Sequence, residues 1–149
     1  PALAQVPTWI CAERAQRDYV LDNIAELVVK PIDGHGGAGV VIGPEAPADV
    51  LEVRRRELQT QPERYIAQEA IALSTHPTFD GEGMYPHHVD LRAFVHLRPG
   101  SDGTVTAHVM PAGLTRVAAR GSRIVNSSSG GGSKDTWILT GCQHDQPAP

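Results

Sequence analysis

The sequence predicts an α+β fold, an antiparallel β-sheet flanked by helices, with a glycine-rich β-hairpin flap. Three observations carry that expectation: one segment with helical periodicity and another with helix start and stop signals, several apolar runs too short for helices, and the hairpin signal 98-RPGSDG-103 after an alternating stretch. A chain of 149 residues is read as one domain over 1–139 followed by a flexible tail over 140–149.

In 12-AERAQRDYVLDNIAEL-27, residues Ala12, Ala15, Tyr19, Val20, Ile24 and Leu27 recur on one helical face. The next run, 27-LVVK-30, is short and β-branched, a buried strand stopped by Pro31. Beyond a glycine-rich loop, 39-GVVIGP-44 is a second strand. The segment 47-PADVLEVRRRELQTQ-61 opens with proline and an early aspartate and closes before Pro62, as helices do. A third strand is expected at 65-YIAQEAIAL-73, then a loop through Pro77, Gly81, Gly83 and Pro86. In 88-HVDLRAFVHL-97, Val89, Leu91, Ala93, Val95 and Leu97 face one way, and His88, Asp90, Arg92, Phe94 and His96 the other. The hairpin turn joins this strand to 104-TVTAHVMPAGLTRVA-118. A turn at 120–122, the stretch 123-RIVN-126, a polar flexible loop 127-SSSGGGSKD-135 and 136-TWIL-139 complete the expected order.

Composition narrows the function classes. Forty per cent hydrophobic and twenty per cent charged residues describe a soluble globular protein, and 15 glycines with 12 prolines describe one rich in turns. A formal net charge of −4 provides no basic field for a nucleic-acid backbone and no patch for anionic lipid. Arg54, Arg55 and Arg56 spread around a helix and are read as a solvated face. With no apolar stretch long enough to span a bilayer and no leader, the expectation is a cytoplasmic protein with neither nucleic-acid nor membrane partners. Cys11 and Cys142 lack C-x-x-C spacing and are read as free thiols.

Gly34, Gly36 and Gly39 satisfy G-x-G-x-x-G, yet a dinucleotide fingerprint must end in a helix whose N–H groups receive the pyrophosphate. Here Val40, Val41 and Ile42, closed by Gly43 and Pro44, make a strand, and Glu52 and Glu57 fall within a helix. Dinucleotide binding is therefore discarded. A loop between two strands has another use, since without Cβ atoms it can lie over a polyphosphate and donate backbone N–H groups, with Lys30 at its root. A tight hairpin with a solvent-exposed lysine is the equally weighted alternative. The stretch 130-GGGSKDT-136 fails as a Walker A motif because Ser133 precedes Lys134 and Asp135 follows it. It suits a mobile lid, or a surface linker. His87 and His88 point to opposite strand faces, so His88 and Asp90 offer at most two ligands and no metal site is assigned. Asp90 and Arg92 are read as orienting one another or a ligand. Arg116 supplies a second guanidinium, with a structural ion pair nearly as well supported.

Taken together, 27-LVVKPIDGHGGAGVVIGP-44, 65-YIAQEAIALSTHP-77, 88-HVDLRAFV-95, 112-AGLTRVA-118 and 125-VNSSSGGGSKDTW-137 resemble the circularly permuted ATP-grasp family, in its glutathionylspermidine-synthase-like bacterial type. The resemblance runs from Val6 to Leu139 and matches the C-terminal portion of such proteins. It implies an ATP-grasp-like fold in which Lys30 binds ATP phosphates and Gly34, Gly36, Gly37 and Gly39 form the flap over them. It implies that 67-AQEA-70 is the hinge beside adenine, with Gln68 and Glu69 binding the nucleotide. Arg116 is implied to act on the carboxylate or acyl-phosphate of the acceptor, Arg92 and Lys134 to bind substrate, and 127–135 to be a second lid. ATP and magnesium are the implied cofactors, with the metal ligands mostly outside this chain. A small carboxylate and an amine or peptide are the implied substrates, joined through an acyl-phosphate. The chain is expected to be part of a larger ligase and inactive alone. A non-catalytic nucleotide-binding or scaffolding module is the alternative. The pattern departs from the family at Asp33, which is either the acidic metal ligand or a turn residue, and at Asn126, which does not replace a metal-binding segment.

Overall fold

Val28 and Val29 lie opposite Ile42 and Val41 in the computed structural model, which describes residues 4–34, 36–125 and 131–138. Asn126, residues 127–130 of the expected lid, Leu139, Cys142 and the expected tail lie outside these described residues. The chain divides into two compact units, Pro1–Ala72 and Leu73–Pro149.

The first unit holds strands β1 (Thr8–Ile10), β2 (Leu27–Pro31), β3 (Val41–Ile42) and β4 (Tyr65–Glu69), and helices α1 (Arg14–Asn23) and α2 (Ala48–Thr60). The strands pair antiparallel in the order β1-β4-β2-β3. Strand alternation turns Leu27, Val29, Tyr65 and Ala67 to one face, where they form a buried core with Cys11, Val20, Ile24 and Leu58. Each fully buried aliphatic side chain contributes about 1.5–3 kcal/mol, so Ile24 and Leu58 are the principal ties between helices and sheet. Burial also pushes the Cys11 thiol pKa up, Arg17 only partly opposing it. α2 begins after Pro47 and carries Asp49 in its first turn, as its sequence predicts.

The second strand is shorter than 39–44, because Gly43–Glu45 coils into a 3-10 turn. The cause is a close backbone approach. A Cβ on Gly43 would stand 2.1 Å from the Ile24 carbonyl oxygen and 2.7 Å from that of Leu27. The arginine run also departs from expectation. Arg56 is exposed and pairs with Glu52, but Arg55 donates to the Leu21 carbonyl, and Arg54 is only 8 % exposed. Leu51, Arg54 and Leu58 follow a three-and-four spacing, which places this arginine in the inward stripe of α2.

The second unit is a sheet of order β5-β6-β7-β8, all antiparallel, comprising β5 (Thr75–Phe79), β6 (Met84–Pro99), β7 (Val105–Val117) and β8 (Gly132–Lys134). The expected loop through Pro77 and Pro86 is two paired strands, with only residues 80–83 turning between them. Bonds from Val89 N to Ser74 O and from Asp80 N to Gly83 O set the phase of that ladder. Pro77 and Pro86, directly opposite one another, thereby occupy a pair that needs no N–H. Similarly, residues 132–134 of the expected flexible loop are a strand on β7.

The alternation in 88–97 does not make a buried face. Leu91, Val95 and Leu97 are all more than half exposed, and among the described residues of this unit burial is confined to His87, Val117 and Ala118. The register breaks after Ala93, where Met110, Pro111 and Ala112 stand against Phe94 alone, a bulge that absorbs a proline without a donor.

Candidate functional site

The face of the first sheet opposite its core carries Ile10, Ile66 and Lys30 in one cross-strand row and Thr8, Gln68, Val28 and Ile42 in the next. Lys30, half-buried, donates from Nζ to Gln68 Oε1, and Gln68 Nε2 donates to Thr8 Oγ1 at 2.9 Å. The amide is thus held by its neighbours on both strands and aims its oxygen at the ammonium. Among the described residues no carboxylate lies within ion-pair distance of Lys30, so its charge is not neutralised there.

Residues 32–40 connect β2 to β3 as a loop between paired antiparallel strands. Gly36, Gly37 and Gly39 have φ of 62°, 85° and 73°, a left-handed backbone that side chains oppose. Gly34 is needed for space, since a Cβ there would stand 2.7 Å from Pro31 Cγ. The two ends of the loop are tied by arginines. At the near end, Arg64 Nη2 pairs with Asp33 Oδ2 at 3.3 Å and the Arg64 carbonyl accepts from Ile32 N at 2.9 Å. At the far end, Arg54 Nη2 donates to the Gly39 carbonyl at 2.8 Å. Sequence reasoning missed both anchors. The stripe position of Arg54 was the available signal, whereas nothing local joins Asp33 to a residue 31 positions away.

Gln68 and Glu69 part company. Glu69 stands opposite Leu27, on the face away from Lys30, with its side chain exposed at the end of β4. Its N–H donates to the Pro7 carbonyl at 3.2 Å. Residues 69–72 and 4–7 line a shallow cavity of about 350 Å³.

In the second unit Asp90 lies directly opposite Arg116. Arg116 Nε donates to Asp90 Oδ1 at 2.7 Å and Nη2 to Oδ2, a bidentate pair with each side chain about a quarter exposed. The hydrogen-bonded carboxylate drives the arginine pKa still higher, burial opposing only in part. Asp90 therefore engages Arg116 and not Arg92, which stands exposed opposite Leu114. Lys134, opposite Thr115, is on the other face, where Nζ donates to the Pro77 carbonyl at 2.7 Å and lies 3.2 Å from His76 Nδ1. His87 is buried and donates from Nδ1 to the Ala118 carbonyl at 2.9 Å. The structure thus brings Lys30 and Gln68 together, leaves the loop glycines beyond the end of the strand that carries Lys30, and separates Arg116 and Arg92 from Lys134 across the second sheet.

The described residues contain no group of three or more His, Cys, Asp or Glu side chains that could hold a metal ion, and the Asp33 carboxylate is already paired with Arg64. Nor is any described helix long and apolar enough to cross a membrane.

Known proteins resemble the chain over nearly its whole length. The chain is 51% identical over 138 residues to a Frankia alni protein provisionally named glutamate–cysteine ligase 2-3, and 53% identical over 139 residues to a Frankia casuarinae protein provisionally named glutamate–cysteine ligase 2-2. It is 46% identical over 142 residues to an uncharacterised Synechocystis protein. These matches cover 93–95% of the chain but only 15% of each Frankia protein and 28% of the Synechocystis one. The family model for circularly permuted ATP-grasp type 2 matches residues 1–118, far more than half of the chain, and the chain belongs to that family.

Proposed function

We propose that the open face of the first sheet binds ATP, and that the chain is the ATP-binding portion of an ATP-dependent carboxylate–amine ligase. One observation carries the reading: Lys30, free of any described carboxylate, stands at the foot of a loop whose three left-handed glycines can present backbone N–H groups to an anion. Lys30 holds phosphate charge, Gln68 keeps the ammonium aimed, and the loop covers the phosphates as a flap that excludes water. The cavity beside Glu69–Ala72 takes adenine, with the backbone of this hinge supplying base recognition. When bound, ATP supplies a phosphoryl group to the substrate carboxylate. The acyl-phosphate so formed gives an amide when the amine displaces phosphate.

Arg116 neutralises charge developing at the acceptor carboxylate, its fork oriented by Asp90, and Arg92, on the same face of the sheet, contacts substrate. Magnesium ligands come from residues outside those described, and no step here is derived through the metal. The names of the Frankia relatives make glutamate and cysteine the first substrate pair to test, and the glutathionylspermidine-synthase-like resemblance makes glutathione and spermidine the second. Such a ligase works in the cytoplasm, beside its ATP supply. Because the chain spans a small part of its relatives, turnover belongs to the longer protein that carries it, and the 149-residue chain alone is expected to bind without turning over.

Calorimetry with ATP and with adenosine tests the site. Lys30→Ala is expected to weaken ATP binding by about tenfold or more, roughly 1.4 kcal/mol, and to leave adenosine binding unchanged. Equal ATP affinity in wild type and variant would sink the phosphate role. Phosphate release by the longer protein, assayed with the two pairs above and a panel of amino acids and peptides, then separates ligase from nucleotide-binding module: ATP binding with no release in any combination refutes the ligase.

A further inference from the structure

We infer that Arg54 is the positioning residue of the glycine loop, setting the one conformation in which its backbone meets a triphosphate; the phosphate arm of this inference rests on the ATP reading above. Arg54 joins three elements from a buried position. Nη2 donates to the Gly39 carbonyl at 2.8 Å, Nη1 lies 3.1 Å from Glu57 Oε2, and the guanidinium sits 4.6 Å from the Tyr65 ring centroid. Tyr65 Oη donates in turn to Glu57 Oε2 at 3.3 Å, which fixes the carboxylate.

The peptide group held by Arg54 is the decisive one. The carbonyl of Gly39 and the N–H of Val40 belong to the same plane, and Val40 N donates to the Gly37 carbonyl at 3.2 Å. The plane is therefore pinned from both sides, by a guanidinium and by the turn it closes. Glycine populates either sign of φ with little preference, so at Gly39, with φ of 73°, the bond from Arg54 selects one arrangement of the peptide that follows.

Stability alone does not account for the residue. Arg54 Nε is buried with no hydrogen-bond partner among the described residues, and an unbranched apolar side chain would fill the space without that desolvation. What an apolar side chain cannot do is grip the Gly39 carbonyl. Its removal leaves the loop to be ordered by the ligand, and that ordering is charged against affinity.

The test compares the wild-type 149-residue chain with Arg54→Met. Hydrogen exchange at the 36–40 amides is expected to quicken at least tenfold, with amides of Val29 and Ala67 unchanged. ATP affinity is expected to fall about tenfold while adenosine affinity stays within twofold. Wild-type exchange at 36–40 overturns the inference, as does equal loss of ATP and adenosine binding. If Arg54→Met fails to fold, Arg54→Lys is read instead. Its single head cannot span Gly39 and Glu57 together, so it must still show faster exchange at 36–40, and wild-type exchange there is equally fatal. If the wild-type chain binds no ATP, the proposed function fails, and exchange at 36–40 alone still decides the role of Arg54.

Discussion

Lys30 and Asp33, three residues apart, show how much a neighbour decides. Lys30 faces an amide and keeps its charge available, whereas Asp33 is occupied by Arg64 at the rim of the loop. That pair is about half exposed on both sides and is worth little to stability, so the loop's firm anchor is the buried one at Gly39. Gly43 is a different kind of constraint, a matter of space and not of φ. Gly43→Ala is expected to destabilise the chain by about 1–3 kcal/mol, toward the upper end because the obstacles are backbone oxygens that cannot swing aside. Urea denaturation measures this, and a change within ±0.5 kcal/mol, the ordinary surface value, would show that the β3 connection is looser than described.

Among the elements, the β5–β6 turn is held by Asp80. Its Oδ1 accepts from Glu82 N at 3.0 Å and Gly83 N at 3.1 Å, while Oδ2 lies 3.6 Å from Arg120, whose guanidinium sits 3.4 Å over the Tyr85 ring. The Glu82 N–H is the main cause of a lowered Asp80 pKa, with Gly83 and Arg120 acting in the same direction. A depressed carboxylate pKa contributes order that is present above the usual carboxylate range and lost as pH falls through the lowered value. Exchange at the 78–85 amides, corrected for intrinsic rates, should therefore be flat above the ordinary carboxylate range and quicken at acid pH. Asp80→Asn, which keeps an acceptor but has no charge to titrate, should abolish that acid dependence. The same acid response in the variant would assign it to another group. The strands around this turn were illegible beforehand because Pro77 and Pro86 are strand breakers by local rules. They are admissible only in the register that places them opposite one another.

Over the whole molecule the two units differ in how they are held. Among the described residues, Val117 and Ala118 are the buried apolar side chains of the second unit, while the first has a continuous core from Cys11 to Ala67. A long two-stranded ribbon such as 93–109 has little to stabilise it beyond its ladder. Hydrogen exchange should thus be fastest along 95–109 and slowest at Val29 and Ala67. Leu58→Ala, at about 2–5 kcal/mol, should collapse that protection in the first unit. Protection at 95–109 equal to that of Val29 would mean that the ribbon is covered.

Much of this organisation follows from local rules. Period 3.6 marked α1, a proline start with an early aspartate and a closing Pro62 marked α2, β-branched runs marked β2 and β3, Pro-Gly and Asp-Gly marked the ribbon turn, and the strand after the glycines excluded a dinucleotide site. Lys30 and the loop glycines were nameable as candidates because a lysine at a glycine loop between strands is a pattern of neighbours in sequence, whereas Gln68 was named only through the family resemblance. Arg54 was not, since its partner Gly39 is 15 positions away and an arginine triplet reads as surface until one helix face is buried. The same holds for the division of Gln68 from Glu69, the union of Asp90 with Arg116, and the prolines inside strands. Each depends on which strand lies alongside and in which register, and register is set by burial and cross-strand bonding between residues distant in sequence.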